Sequence, residues 1–244
     1  MRKKSLTRII ALSLVVFSIF TNYSFLGSPN ALAVDLPSKE TEKIIYLTFD
    51  DGPSVLTNKV LDILKENNVK ATFFIIGNQI KGQEAVVKRM YNEGHSIGLH
   101  TYTHKYKNIY PSRRGFINEM LKTQNEINTL IGIKPTIIRF PFGSRKHLTV
   151  DFLEQLHSYN FKVYDWNANM SDGIKARTPI DQLYREATKT TITEHPIILL
   201  MHCDYMHKNT CVALPRVIKF YKDNGYEFKI INDGTPENYY PIKK

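Results

Sequence analysis

Short apolar runs that alternate with segments of helical period constrain this chain more than any other feature. The runs fall at 44–49, 71–76, 96–99, 136–139, 162–165, 196–201 and 227–231. Between them apolar residues recur three and four positions apart, as in Val60, Leu61, Ile63 and Leu64, or Val86, Val87 and Met90. That spacing predicts helices near 58 and 83 and over 113–130, 150–159, 180–188 and 212–224. Strands that alternate with helices must cross over from one strand to the next, which builds a parallel sheet, either open or closed into a barrel. Periodicity leaves both open. Polar residues end these runs: Asp50 and Asp51, His100, Arg139, Asp165 and His202 each fall at the C-terminal end of a different one. In both architectures the carboxyl ends of the strands are where ligands gather.

The first 33 residues read differently. Arg2, Lys3, Lys4 and Arg8 precede an apolar stretch, Ile9 to Phe20, and Ala31-Leu32-Ala33 is a small-x-small triplet. Together they predict a cleaved secretory signal over 1–33, or an N-terminal membrane anchor if cleavage fails. A polar leader follows over 34–42, then one domain over 43–234 and a tail over 235–244. Removing the segment's four basic residues lowers the formal charge from +10 to +6. A basic exported chain is drawn to anionic wall polymers or membrane surfaces. Its lysines and arginines are scattered and no nucleic-acid motif accompanies them, so nucleic acid is not the expected partner. Cys203 and Cys211 permit a disulfide in an oxidising compartment, with free thiols as the alternative.

The polar strand ends carry the chemistry. In LTFDDGPS, Asp50 and Asp51 are adjacent and repel each other unless a cation or a division of labour relieves them. In HTYTH, His100 and His104 share one face if the segment makes a helical turn. Two histidines and Asp51 form a ligand set that leaves positions open for water and substrate. Asp50, beside the set, is then free to act as a general base, with Gly52-Pro53 turning the chain after it. Arg139 opens RFPFG and, if buried, needs a carboxylate, for which Asp50 and Asp172 are candidates. The Phe142 N–H in that turn is a candidate oxyanion donor. His202 follows IILLM and is either a core histidine or a general acid. His95 reads as a packed core residue, and His147, His157, His195 and His207 as surface positions. Trp166 reads as core and not as a sugar platform.

In this order and spacing, TFDDGP, HTYTH, RFPFG, the Asp172 region and LLMH resemble the polysaccharide deacetylases of carbohydrate esterase family 4. The resemblance spans nearly all of the chain after the signal. It implies a single-domain distorted (β/α) barrel with about seven parallel strands and one divalent metal ion, zinc or cobalt. The implied reaction removes N-acetyl groups from GlcNAc-containing polymers, with peptidoglycan as the first expectation and chitin oligomers as the second. It implies Asp50 as base, Asp51, His100 and His104 as metal ligands, Arg139 as the residue that orients the base, and His202 as acid. Asp172 would support Arg139 or His202, and Leu200 would line the pocket for the acetyl methyl group. The expected product is a secreted, wall-associated monomer without stable membrane insertion. An O-acetyl xylan esterase and a non-catalytic wall-binding module are the competing readings. Three positions depart from the family's pattern. Gly173 replaces an expected tryptophan, Asn169 an aspartate, and Cys203 another aspartate.

Overall fold

A computed structural model describes residues 42–189 and 196–242. The expected signal, residues 34–41 of the leader, and His195 lie outside the described residues. Among the described residues eight strands and seven α-helices follow one another: β1 (Ile44–Gly52), α1 (Val55–Glu66), β2 (Thr72–Ile75), α2 (Glu84–Asn92), β3 (Ser96–Leu99), α3 (Tyr106–Ile109), α4 (Arg113–Ile131), β4 (Ile137–Ile138), α5 (Val150–Ser158), β5 (Lys162–Val163), β6 (Ala168–Asn169), α6 (Ile180–Thr188), β7 (Ile197–His202), α7 (Lys208–Asp223) and β8 (Glu227–Lys229). Every strand pairing is parallel, in the order β5-β4-β3-β2-β1-β7-β6, with β8 added beside the start of β1. Seven of the strands match the expected runs. The eighth, β6, is two residues long and partly exposed, so it carries no apolar run to announce it.

The alternation of side chains along the strands separates two layers. Ile45, Leu47 and Phe49 of β1 point to the helices, where they pack with Leu61 and Leu64 of α1 and Val217 of α7. Tyr46 points the other way and packs with Phe74, Ile137, Tyr164 and Ile198 in the barrel interior. On β1 and β7 the interior register runs Tyr46 beside Ile198, Thr48 beside Leu200, and Asp50 beside His202. The interior thus turns polar towards the carboxyl ends of the strands.

The sheet is curled. Strands three places apart on a flat sheet stand about 14 Å apart, yet Arg139, just after β4, reaches Asp50 of β1 at 2.9 Å. β5 and β6 are the open edges of this barrel. Asn238 covers the β5 side: its carbonyl accepts from the Asp165 N–H at 2.6 Å and its N–H donates to Val163 O at 3.2 Å. Capping fixes where helices begin. Ser54 caps α1 and its hydroxyl also donates to Cys203 O at 2.7 Å, which ties the turn after β1 to the end of β7. Since Ser54 is the cap, the aspartate pair is left for another task. Cys203 and Cys211 are both buried free thiols, so the permitted disulfide is not formed. Among the described residues no helix is long and apolar enough to cross a membrane.

Candidate active site

A cavity of about 230 Å³ opens at the carboxyl ends of β1, β3, β4 and β7. Asp50, Asp51, His100, His104 and His202 all line it, together with Leu200. Regular alternation would send Asp51 to the face opposite Asp50. A register shift between Asp50 and Gly52, with Asp51 at φ 64°, breaks the alternation and brings both carboxylates to the cavity. The strand runs on through Gly52, so the bulge does what Gly52-Pro53 was expected to do. Thr101, His104 and Phe142 also take positive φ. Left-handed backbone at non-glycine residues costs of order 1 kcal/mol or more each and gathers at sites that need it.

His100 and His104 do not sit on a helical turn; HTYTH is a loop, with Thr101 at φ 66° and His104 at φ 53°. The loop nevertheless brings the rings together, centroids 4.9 Å apart. Glu119 of α4 organises it, its Oε2 accepting from Tyr102 N at 3.0 Å, Thr103 N at 2.6 Å and Thr103 Oγ1 at 2.9 Å. Thr101 is fully buried, and its Oγ1 accepts from His104 N at 3.2 Å.

The donor set fits a metal ion. Asp51 Oδ1 is buried without a hydrogen-bond partner, 3.5 Å from His100 Nε2 and 3.3 Å from His104 Nε2. Three ligand atoms within 4.8 Å of one another can converge on one ion. Burial first, then the neighbouring His104, holds the His100 pKa down at about 3, so the ring is neutral. Its Nδ1–H donates to Arg139 O at 2.9 Å, which leaves the Nε2 lone pair turned towards Asp51. A backbone partner on the far nitrogen is the usual way to orient a metal-binding imidazole.

Arg139 is fully buried, and each of its three side-chain nitrogens has a partner. It donates to Asp50 Oδ1 at 2.9 Å, Thr48 Oγ1 at 2.7 Å, Tyr164 O at 2.8 Å and Asp165 O at 3.3 Å. Of the two carboxylates open to it, Asp50 is its partner. Burial raises the Asp50 carboxyl above the ordinary value of 3.8, against the opposing charges of Arg139 and His202. Asp172 instead serves His202. Its Oδ1 accepts from His202 Nδ1 at 3.0 Å, and its Oδ2 accepts from His202 N and Thr210 Oγ1, both at 2.9 Å. Burial works against the charged imidazole, but the hydrogen bond and charge of Asp172, joined by Asp50 and Asp51, outweigh it and raise the pKa to about 9. His202 is thus a half-buried side chain that lines the cavity, with Asp172 behind it favouring the protonated ring.

The family model for polysaccharide deacetylase matches residues 38–163. The chain belongs to that family. A peptidoglycan-N-acetylglucosamine deacetylase of Bacillus cereus is 34% identical over 203 residues, 82% of this chain and 72% of that protein. A Listeria monocytogenes enzyme of the same description is 33% identical over 213 residues, 84% of this chain but 42% of its own length. Among solved structures, a polysaccharide deacetylase of Bacillus cereus superposes with a TM-score of 0.73 at 33% identity, covering 82% of this chain and 96% of that one. The catalytic domain of a peptidoglycan N-acetylglucosamine deacetylase from Eubacterium rectale gives 0.76 at 27% identity, covering 85% and 96%. The distorted (β/α) barrel expected from the motifs is therefore the family's fold.

Around the polysaccharide deacetylase cavity some expectations change. Gly173 cannot carry the tryptophan frequent in the family, because a Cβ there would stand 2.7 Å from His202 Nε2. Ile174, 87% exposed, follows it at the cavity wall. Asn169 lines the cavity too. The Cys203 N–H and its thiol both donate to Asp50 O, at 3.1 Å and 3.5 Å, so main chain and side chain alike meet Asp50 there. Trp166 is half-buried at the cavity wall and is not a core residue. His95 is buried as expected. His207 is buried rather than at the surface, with its Nε2 3.1 Å from Asp172 O and its Nδ1 2.7 Å from Asp204 Oδ1. His147 is half-buried, stacked on Tyr110 with centroids 3.6 Å apart. Glu119, Thr48 and Thr210 escaped sequence reasoning altogether. Only Glu119 left a trace: a carboxylate at the buried margin of an amphipathic helix.

Proposed function

We propose that this polysaccharide deacetylase is a metal-dependent hydrolase that removes N-acetyl groups from GlcNAc residues of peptidoglycan and releases acetate. The observation that carries the reading is the presence in one cavity of a carboxyl group and an imidazole, each tied to its own partner of opposite charge. Asp50 is held by Arg139, and His202 is held by Asp172. Such a pair is what general base and general acid require at one pH.

Asp51, His100 and His104 would hold one divalent ion, zinc or cobalt. When bound, the ion supplies Lewis-acid chemistry, activating water at neutral pH and polarising the acetamide carbonyl. Asp50, outside that trio and fixed by Arg139, takes the proton of the attacking water. The Phe142 N–H donates to no group among the described residues and offers itself to the developing oxyanion. His202 gives its Nε2 proton to the departing amine, while Asp172 keeps the resulting imidazole in the same tautomer and place. Leu200 and Met170 present apolar surface to the acetyl methyl group. Peptidoglycan is favoured over chitin because the two relatives named above are described as peptidoglycan enzymes. Residues 1–33 would export the chain, which would act at the wall as a monomer.

The test is acetate release by the purified chain from peptidoglycan, chitooligosaccharides and acetylated xylan, with zinc or cobalt and again after chelation. Chelator-sensitive release from peptidoglycan is expected. Release from xylan alone would make it an O-acetyl esterase, and metal binding without release from any polymer would make it a wall-binding module.

A further inference from the structure

The sheet does not hold Asp51. The pairing of β1 with β2 passes from Asp50 to Gly52, and its pairing with β7 ends at Asp50, so Asp51 has no register partner on either side. Its backbone is left-handed, at φ 64°, which a residue with a Cβ keeps only where its surroundings impose it. Yet its carboxylate is well placed. Oδ1 stands 3.5 Å from His100 Nε2 and 3.3 Å from His104 Nε2, and ligand atoms about 2.1 Å from a tetrahedral ion stand about 3.4 Å from one another. Contacts from outside the ladder must fix this spacing.

The turn after β2 supplies them from one place. Gly77–Gln79 is a single short 3-10 turn. The Gly77 N–H donates to Thr101 O at 3.0 Å and the Asn78 N–H to Tyr102 O at 2.9 Å, which holds the loop that carries His100 and His104. Gly77 lets the turn approach so closely, since a Cβ there would meet Tyr102 Cδ2 and Thr123 Oγ1 at 2.5 Å. Gln79, half-buried, reaches the other way. One end of its amide faces two carbonyl oxygens, so the nitrogen is the atom turned to them, and it donates to Asp51 O and Pro53 O, each at 3.0 Å. A neutral NH₂ group has a donor for each carbonyl, which neither a carboxylate nor an apolar side chain of that length provides.

We propose that Gln79 is a positioning residue for the metal site: by holding the main chain on both sides of Gly52, its amide keeps the Asp51 carboxylate at ligand spacing from the two imidazoles. The inference rests on the reading of Asp51, His100 and His104 as ligands of one ion.

Competition with a chelator measures the zinc affinity of Gln79→Met, which keeps the length of the side chain and loses both donors. A loss of roughly tenfold is expected, at the lower end of what the outer partners of metal ligands contribute. With cobalt in place of zinc, the visible absorption bands, which follow ligand geometry, should shift. Thermal unfolding of the metal-free variant checks that the barrel is intact. Gln79→Asn, one methylene too short to span both carbonyls, should lose affinity in the same way and serves if the first variant does not fold. Wild-type affinity in a folded variant overturns the proposal. So does a loss of affinity with the wild-type cobalt spectrum, which would mean that the geometry of the trio does not depend on the amide. A wild-type chain that binds neither metal overturns the reading of the trio and the brace with it, whereas binding that the variants leave untouched overturns the brace alone.

Discussion

Asp50 and His202 are register partners on the adjacent parallel strands β1 and β7. Adjacent strands lie about 4.8 Å apart, so the carboxylate and the imidazole face one small cavity from neighbouring walls. Each is tied to its own counter-charge, Arg139 on one side and Asp172 on the other. A base and an acid this close would otherwise exchange a proton and cancel each other.

The first expectation concerns pH. His202 must be protonated to act, and with its pKa raised to about 9 it stays so through the neutral range. Activity should therefore fall as pH rises through about 9, and fall on the acid side as Asp50 takes up its proton, above the ordinary 3.8. In Asp172→Asn the largest raising partner is gone while burial remains, opposed only by Asp50 and Asp51, so the alkaline limb should move down from about 9. Rates of acetate release measured across pH would show it. An unmoved alkaline limb would remove His202 from the acid's role.

Replacing Asp50 by Asn should lower kcat by about 10²–10⁴, the usual worth of a general base, while bound metal per chain is unchanged. Elemental analysis of the purified variant decides the second half. Metal lost in step with turnover would mean that the two aspartates do not divide the work.

Glu119→Ala leaves three donors of the HTYTH loop without their acceptor. Outer partners of this kind are worth about 10–100-fold in metal affinity, and a loss of that size is expected in competition with a coloured chelator. Thermal unfolding of the variant should show the barrel intact. Unchanged affinity would mean that the loop holds its shape without α4.

At Gly173 even alanine is too large, because its Cβ would lie against the His202 ring. Gly173→Ala should displace that ring by part of an ångström to an ångström, a misplacement that costs about 10²-fold in rate. Metal content should not change, since His202 is outside the trio of ligands. A variant with full kcat would show that the ring has room to yield.

Much of this molecule is legible without coordinates. Val60, Leu61 and Leu64 announce α1, and IILLM announces β7, because burying one face imposes its period on local sequence. The proposed ligand trio is legible for a related reason: Asp51, His100 and His104 stand at or just after the ends of such runs, in two short motifs. Where local pattern is absent, so is the signal. β6 has two residues and no apolar run, and HTYTH looks like a helical turn because spacing alone does not register Thr101 at φ 66°.

Strand and helix content, the gathering of polar residues at one edge, and the ligand types are properties of short stretches, and the sequence by itself determined them. Which acid meets which base was decided by the tertiary structure. Arg139 had two aspartates to choose from, and the curl of the sheet gave it Asp50, two strands beyond its neighbour, while Asp172 came to lie under His202. Asp51 faces the proposed metal site through a bulge that no residue type dictates, and Tyr240 walls a cleft with Trp166 from 74 positions further along the chain. Such pairings depend on a strand order, β5-β4-β3-β2-β1-β7-β6 with β8 beside β1, that does not follow chain order. They are set by how the whole sheet closes over its core, and no single segment carries that information.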